Sequence, residues 1–146
     1  VSKFLDIYKL FSHDLRKDRE MVASLKGAKG FEEEVRLPIN KTVLIAGNSE
    51  GLDLKIDNQY VSRKHFQVRR DKEVYLISDI GSTNGTSLNG QSLKAGEEHE
   101  LTNCDVISLA SGEVIFQFFL QIKFGLRLSL KYDFAILNTI LWQSRT

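Results

Sequence analysis

Asp79-Ile80-Gly81-Ser82-Thr83-Asn84-Gly85-Thr86-Ser87-Leu88-Asn89-Gly90 carries a pair of Asn-Gly turns flanking a short Thr-Ser-Leu run. Asn and Gly both tolerate positive φ, so each pair marks a tight reversal of the chain. A chain that reverses this sharply on either side of a short run is passing between antiparallel strands. Thr83 and Asn84 then fall on an exposed loop, where polar side chains are free to bind.

The same period-two pattern extends outward. Val74, Leu76 and Ser78 alternate with Tyr75, Ile77 and Asp79. Phe66 and Val68 alternate, as do Leu52, Leu54 and Ile56, and Val43-Leu44-Ile45 is a β-branched run ending at Gly47. Downstream, Val106, Ser108 and Ala110 interleave with Ile107 and Leu109, and Val114, Phe116 and Phe118 continue the theme. Short strands spaced by Gly, Asn, Asp and Ser turns predict an all-β sandwich over residues 31–119. Pro38, the only proline, lies between such runs, where it removes no central ladder bond.

The flanks read differently. Phe4, Tyr8, Phe11 and Leu15 recur at helical spacing, broadened by Leu5, Ile7 and Leu10. They predict a helix over roughly the first 25 residues, broken at Gly27-Ala28-Lys29-Gly30, so that residues 1–30 form an N-terminal helical extension. Residues 120–146 form a C-terminal β extension. Every even position from Phe116 to Phe134 is apolar. One straight strand of that length would span roughly 60 Å at ~3.3 Å per residue, so the ribbon bends, at Gly125, or leaves the domain to pair elsewhere. Ile136, Leu137, Ile140 and Leu141 suit a short terminal helix.

Composition excludes several classes of function. The 146-residue chain has a formal net charge of +1, which argues against gripping nucleic acid by bulk charge. Its hydrophobic fraction of 42% supports a packed core. One cysteine, Cys104, forms no internal disulfide, and no apolar signal core follows the first residues, so an intracellular (cytoplasmic or nuclear) setting is expected. Lys123, Arg127, Lys131 and Asp133 interrupt the apolar C-terminal region, leaving no stretch long enough to span a bilayer as a helix. His13, His65, His99 and Cys104 lack metal-ligand spacing, so no metal or other cofactor is expected. Ser62, His65 and Asp79 are the residue types of a hydrolase triad. No Gly-x-Ser-x-Gly elbow surrounds the serine, and no enzyme activity is expected. The loop at Gly81–Thr86 lacks the lysine and following helix of a nucleotide phosphate loop. Glu32-Glu33-Glu34 is expected on a solvated face.

Taken in order, Gly47-Asn48, Ser62-Arg63-Lys64-His65, Ser82-Thr83-Asn84-Gly85-Thr86 and Asn89-Gly90 resemble the forkhead-associated (FHA) domain, a β-sandwich that binds phosphothreonine peptides. Leu101-Thr102-Asn103-Cys104-Asp105-Val106-Ile107 resembles that family's Leu-x-x-Gly-Asp-x-Ile stretch, with Cys104 where glycine is usual. The resemblance covers about Lys41 to Phe119. It implies that Ser62 donates its hydroxyl to the phosphate, that Arg63 adds charge, that Thr83 adds a hydroxyl or backbone N–H, and that Asn84 holds the peptide main chain. It assigns His65, with Gly47 and Gly85, to support of the site.

Asn48, counted with Ser62, Arg63, Thr83 and Asn84 among the expected phosphopeptide-binding residues, stands where the family pattern has arginine, so the guanidinium for the phosphate has to come from elsewhere. A phosphothreonine carries about −1.5 to −2 charge and three acceptor oxygens, which call for donors and at least one cation. Arg63, Lys64, Lys55, Arg69 and Arg70 cluster in sequence around the site, and Arg63 is the expected carrier. The reading is a non-catalytic module that recruits a phosphothreonine-containing partner. The alternative is a phosphate-independent interaction or homo-oligomerisation module that uses the same fold as scaffold, with the N-terminal helix or C-terminal ribbon as interface.

Overall fold

The computed structural model describes residues 19–38 and 41–124. The helix expected on Phe4, Tyr8, Phe11 and Leu15, the ribbon beyond Phe124 with its bend at Gly125, and the terminal helix at 136–141 fall outside the described residues. Residues 22–121 form one compact unit. The other unit, 1–21 with 122–146, is described only at 19–21 and 122–124.

The strands are β1 (Arg19–Lys29), β2 (Glu34–Arg36), β3 (Val43–Gly47), β4 (Leu54–Lys55), β5 (Phe66–Asp71), β6 (Val74–Asp79), β7 (Thr86–Leu88), β8 (Gln91–Ser92), β9 (His99–Leu101), β10 (Val106–Leu109) and β11 (Val114–Phe124). They build a six-stranded sheet ordered β2-β1-β11-β10-β7-β8 and a five-stranded sheet ordered β4-β3-β5-β6-β9. Among the described residues the only helical element is a 3-10 turn at Ala110–Gly112, and no helix is long and apolar enough to cross a membrane.

Alternation sets the core. Phe66, Val68, Tyr75 and Ile77 are buried on one sheet, and Ile107, Leu109, Val114, Phe116 and Phe118 on the other. The sheets meet through aromatic pairs: Phe66 with Phe116 at 6.3 Å between ring centroids, and Tyr75 with Phe118 at 5.7 Å. Fully burying rings of this size supplies about 1.5–3 kcal/mol each, the largest single contributions available to a sandwich without disulfides. Glu32, Glu33 and Glu34 are exposed, as expected, with Glu34 opening β2.

The helix expected over the first 25 residues is corrected where the structure describes it: Arg19–Lys29 is strand β1. β1 pairs with β2 in the register Ser24↔Arg36, Leu25↔Val35 and Lys26↔Glu34, and Leu37 N–H closes onto Ala23 O at 2.8 Å. The chain does not break at Gly27; it turns at Gly30, where φ is +71°. Met21, Val22, Ala23, Ser24 and Leu25 are all buried, so this strand hides both faces and shows no alternation. Glu20, Met21, Ala23, Leu25 and Lys26 are good helix formers, and tertiary pairing overrides that local preference.

Candidate functional site

Register brings the loops together. β3 pairs with β5 at Ala46↔Phe66, and β5 pairs with β6 at Phe66↔Asp79. The residues after Ala46, before Phe66 and after Asp79 therefore leave the five-stranded sheet at the same end. These are Gly47-Asn48, Ser62–His65 and Ile80–Gly85.

Gly47 permits a close backbone approach at this end. A Cβ there would lie 2.2 Å from Arg63 O, so only glycine lets the Ser62-Arg63 turn lie flat against β3. Asn48 N–H then donates to Ser62 O at 2.9 Å, and Ser49 N–H to Arg63 O at 3.3 Å.

His65 links the turn to the next loop. Its side chain is fully buried. Ser62 N–H donates to His65 Nδ1 at 3.0 Å, and Nε2 lies 2.9 Å from Gly85 O. A carbonyl only accepts, so the ring is the tautomer with hydrogen on Nε2. Gly85 O also accepts from Ala110 N–H at 3.0 Å, which ties the loop to the other sheet.

Asp79 organises the loop from below. Its Oδ1 accepts from the backbone N–H of Gly81 and of Ser82, each at 2.9 Å. Its Oδ2 accepts from Thr86 Oγ1 at 2.7 Å and from Ser82 Oγ. Burial by itself raises a carboxyl of this kind. The hydrogen bonds from Ser82 and Thr86, with the backbone N–H groups of Ser82 and Gly81, outweigh it and hold Asp79 below the usual carboxylate value. Ser82 Oγ in turn accepts from Gly85 N–H at 3.0 Å, and Gly85 itself turns at φ +84°.

The result is a small polar surface. Thr83 N–H donates to Ser62 Oγ at 2.9 Å, joining the two loops directly. Ser62 is half-buried, while Arg63, Lys64, Thr83 and Asn84 are exposed. A hydroxyl oxygen that accepts in this way keeps its own hydrogen to donate outward. Asn84 Nδ2 donates to Tyr60 O at 2.8 Å, leaving its second amide hydrogen and Oδ1 without partners among the described residues.

The cations separate cleanly. Lys55 pairs with Glu50, and Arg69 with Glu98 and Asp71. Arg70 donates to Lys72 O at 3.0 Å and sits over the Tyr75 ring at 5.8 Å. Arg63 and Lys64 alone of the five candidates have no hydrogen-bond or ion-pair partner among the described residues. Asn48 spends its amide within the protein: Nδ2 donates to Asn58 O at 2.9 Å, bracing the segment before Ser62. The organising role of Asp79 was missed from sequence, although an aspartate ahead of Gly81-Ser82 is a known turn signal, its carboxylate accepting from N–H groups two and three residues on.

The structure is a two-sheet sandwich with donor-rich loops gathered at one end. Residues 44–110 match the sequence model of the FHA domain, and solved FHA-domain structures are similar in fold. The chain is similar to the FHA domain-containing protein FhaA of Mycobacterium tuberculosis, 35% identical over 49% of this chain and 13% of that protein. It is also similar to protein FraH of a Nostoc strain, 31% identical over 58% of this chain and 32% of that protein. The chain thus spans a minor part of either relative's length. An FHA domain solved in a structural and functional analysis of phosphothreonine-dependent interactions is 27% identical, with a TM-score of 0.60 covering 68% of this chain and 97% of that one.

Proposed function

We propose that the Ser62–His65 turn and the Ser82–Gly85 loop form a site for a phosphothreonine peptide, and that the module is a non-catalytic recruiter of a phosphorylated signalling partner. The observation that carries this reading is the Thr83 N–H···Oγ Ser62 bond at 2.9 Å, formed beside two cations that have no partner among the described residues. Ser62 O–H donates to a phosphate oxygen. Arg63 supplies the charge, and its planar guanidinium suits a phosphate better than a point charge does. Thr83 contributes its hydroxyl, and the unspent amide groups of Asn84 hold the peptide main chain. His65, Gly47 and Gly85 keep the loops in register, and Asn48 braces the loop behind Ser62. The phosphothreonine-dependent interactions of the FHA relative support the same assignment.

The test is calorimetric titration of matched phosphorylated and unphosphorylated threonine peptides. Hydrogen bonds to charged groups contribute about 1.5–3 kcal/mol, so Ser62→Ala and Arg63→Ala each weaken the phosphopeptide by roughly ten- to a hundredfold. Equal affinity for the two peptide forms would overturn the reading. Equal affinity of wild type and Arg63→Ala would remove Arg63 from the site and leave Lys64 as the cation.

A further inference from the structure

Tyr60 is 47% exposed, more than any other large hydrophobic residue among those described. Its backbone is held with unusual care. Tyr60 N–H donates to Asn58 Oδ1 at 2.8 Å, and Tyr60 O accepts from Asn84 Nδ2 at 2.8 Å. The next residue, Val61, is buried, and its N–H closes a turn onto Asn58 O at 3.2 Å. Asn48 Nδ2 braces that same carbonyl. The main chain is thus pinned at both of its polar groups while the ring is left in solvent. Tyrosine carries a large apolar ring with few rotatable bonds, and tyrosine is enriched at contact surfaces where one end stays wet.

We infer that Tyr60 is a specificity-determining residue whose ring packs against an apolar side chain of the bound peptide flanking the phosphothreonine. The Asn84–Tyr60 bond couples the residue assigned to the peptide main chain with the residue assigned to its neighbour's side chain. One backbone contact at Asn84 therefore fixes where a flanking side chain meets the ring. Charge narrows the chemistry. Arg63 and Lys64 lie on the same loop and have no partner among the described residues, so a lysine or arginine beside the phosphothreonine is repelled, whereas an aliphatic side chain gains burial against the ring. The ring's hydroxyl takes no part, since apolar area is what is recognised. This inference rests on the phosphothreonine reading above.

The experiment is a phosphothreonine peptide library in which each flanking position in turn is fixed as Leu, Gly, Asp or Lys. It is titrated against wild type, Tyr60→Ala and Tyr60→Phe, with the unphosphorylated library as control. At one flanking position wild type prefers Leu over Gly by about five- to tenfold. Tyr60→Phe keeps that preference, and Tyr60→Ala loses it while still binding the Gly-substituted phosphopeptide as wild type does. If wild type binds phosphopeptides with no apolar preference at any position, or if the preference survives in Tyr60→Ala, the role of Tyr60 is overturned and the phosphate site stands. If wild type does not distinguish the phosphorylated library from its control, the site reading fails and the inference falls with it. A selective loss of all phosphopeptide binding in Tyr60→Ala, with unchanged unfolding, also overturns it, because the residue would then serve the phosphate rather than its neighbour.

Discussion

Asn84-Gly85 and Asn89-Gly90 are the same dipeptide in neighbouring turns, yet the protein uses them in opposite ways. Asn89 turns at φ +50° and commits its N–H and both polar atoms of its side chain. Its N–H donates to Val106 O at 2.8 Å, its Oδ1 accepts from Val106 N–H at 2.9 Å, and its Nδ2 donates to Asp105 at 3.0 Å. Asn84 is exposed and spends one amide hydrogen, on Tyr60 O. Asparagine followed by glycine identifies a turn in both cases. What separates the two is the number of side-chain hydrogen-bonding groups left unsatisfied among the described residues, and that number depends on the segment opposite. Asn89 faces the start of β10, where Asp105 and Val106 engage both ends of its side-chain amide. Asn84 faces a loop that offers one carbonyl.

The largest expected effect comes from removing what holds the open loop in shape. Asp79→Ala leaves four donors without their acceptor, those of Gly81, Ser82 twice over and Thr86. At about 1–3 kcal/mol for each donor left buried and unpaired, and with partial relief by water, a loss of about 3–5 kcal/mol in urea unfolding is expected, with loss of phosphopeptide binding. The pH dependence has a definite sign. The folded Asp79 carboxyl lies below its ordinary value, so its contribution is complete above about pH 4 and is lost as pH falls through the folded value. Wild type therefore loses stability on acidification below about pH 4, and Asp79→Asn starts lower and loses that part of the slope. A parallel pair of curves would mean that Asp79 does not titrate as the geometry requires.

The two asparagines sharpen the contrast at the next scale. Asn89→Ala removes side-chain bonds at a positive-φ position and is expected to cost about 1–2 kcal/mol in unfolding, with phosphopeptide affinity within about twofold of wild type. Asn84→Ala is expected to change unfolding by under about 1 kcal/mol and to weaken the phosphopeptide by about tenfold or more. Calorimetric titration and urea unfolding of both variants check this. If the two asparagines moved the same observable by the same amount, counting unspent groups would not distinguish a ligand residue from a structural one.

The sandwich was legible because its turns are local. Asn84-Gly85, Asn89-Gly90 and the alternation around Phe66, Tyr75 and Ile107 each report on their own few residues. The grouping of Ser62, Arg63, Thr83 and Asn84 was legible only through resemblance, since the registers Ala46↔Phe66 and Phe66↔Asp79 that bring the loops together are long-range facts. β1 was not legible. A strand buried on both faces, as Met21–Leu25 is, has no period-two signature, and its composition points to helix. The five nearby cations look equivalent in sequence. Glu50, Glu98 and the Lys72 carbonyl engage Lys55, Arg69 and Arg70, and so the structure singles out Arg63 and Lys64.

The smallest expected effect lies in the turn that Asn89 leans on through Asp105. Cys104 adopts φ +72° where the family pattern has glycine. Its backbone is committed: N–H donates to Phe118 O at 2.8 Å, and its carbonyl accepts from Gln117 Nε2 at 3.2 Å. The chain cannot relax without breaking these bonds, so the conformation is imposed on a residue with a Cβ. Left-handed backbone costs about 1–2 kcal/mol for such a residue, and glycine removes that cost. Glycine also widens the unfolded ensemble, at about 0.5–1 kcal/mol. The thiol is exposed, so little packing is lost. The balance favours Cys104→Gly by about 0.5 kcal/mol, with the melting temperature rising by about 2–4 °C, measured under reducing conditions. Cys104→Val, β-branched and unable to share the site's backbone geometry without strain, moves the other way. Phosphopeptide affinity stays at the wild-type value in both variants, because the Thr102–Asp105 turn supports the saturated asparagine and not the open one.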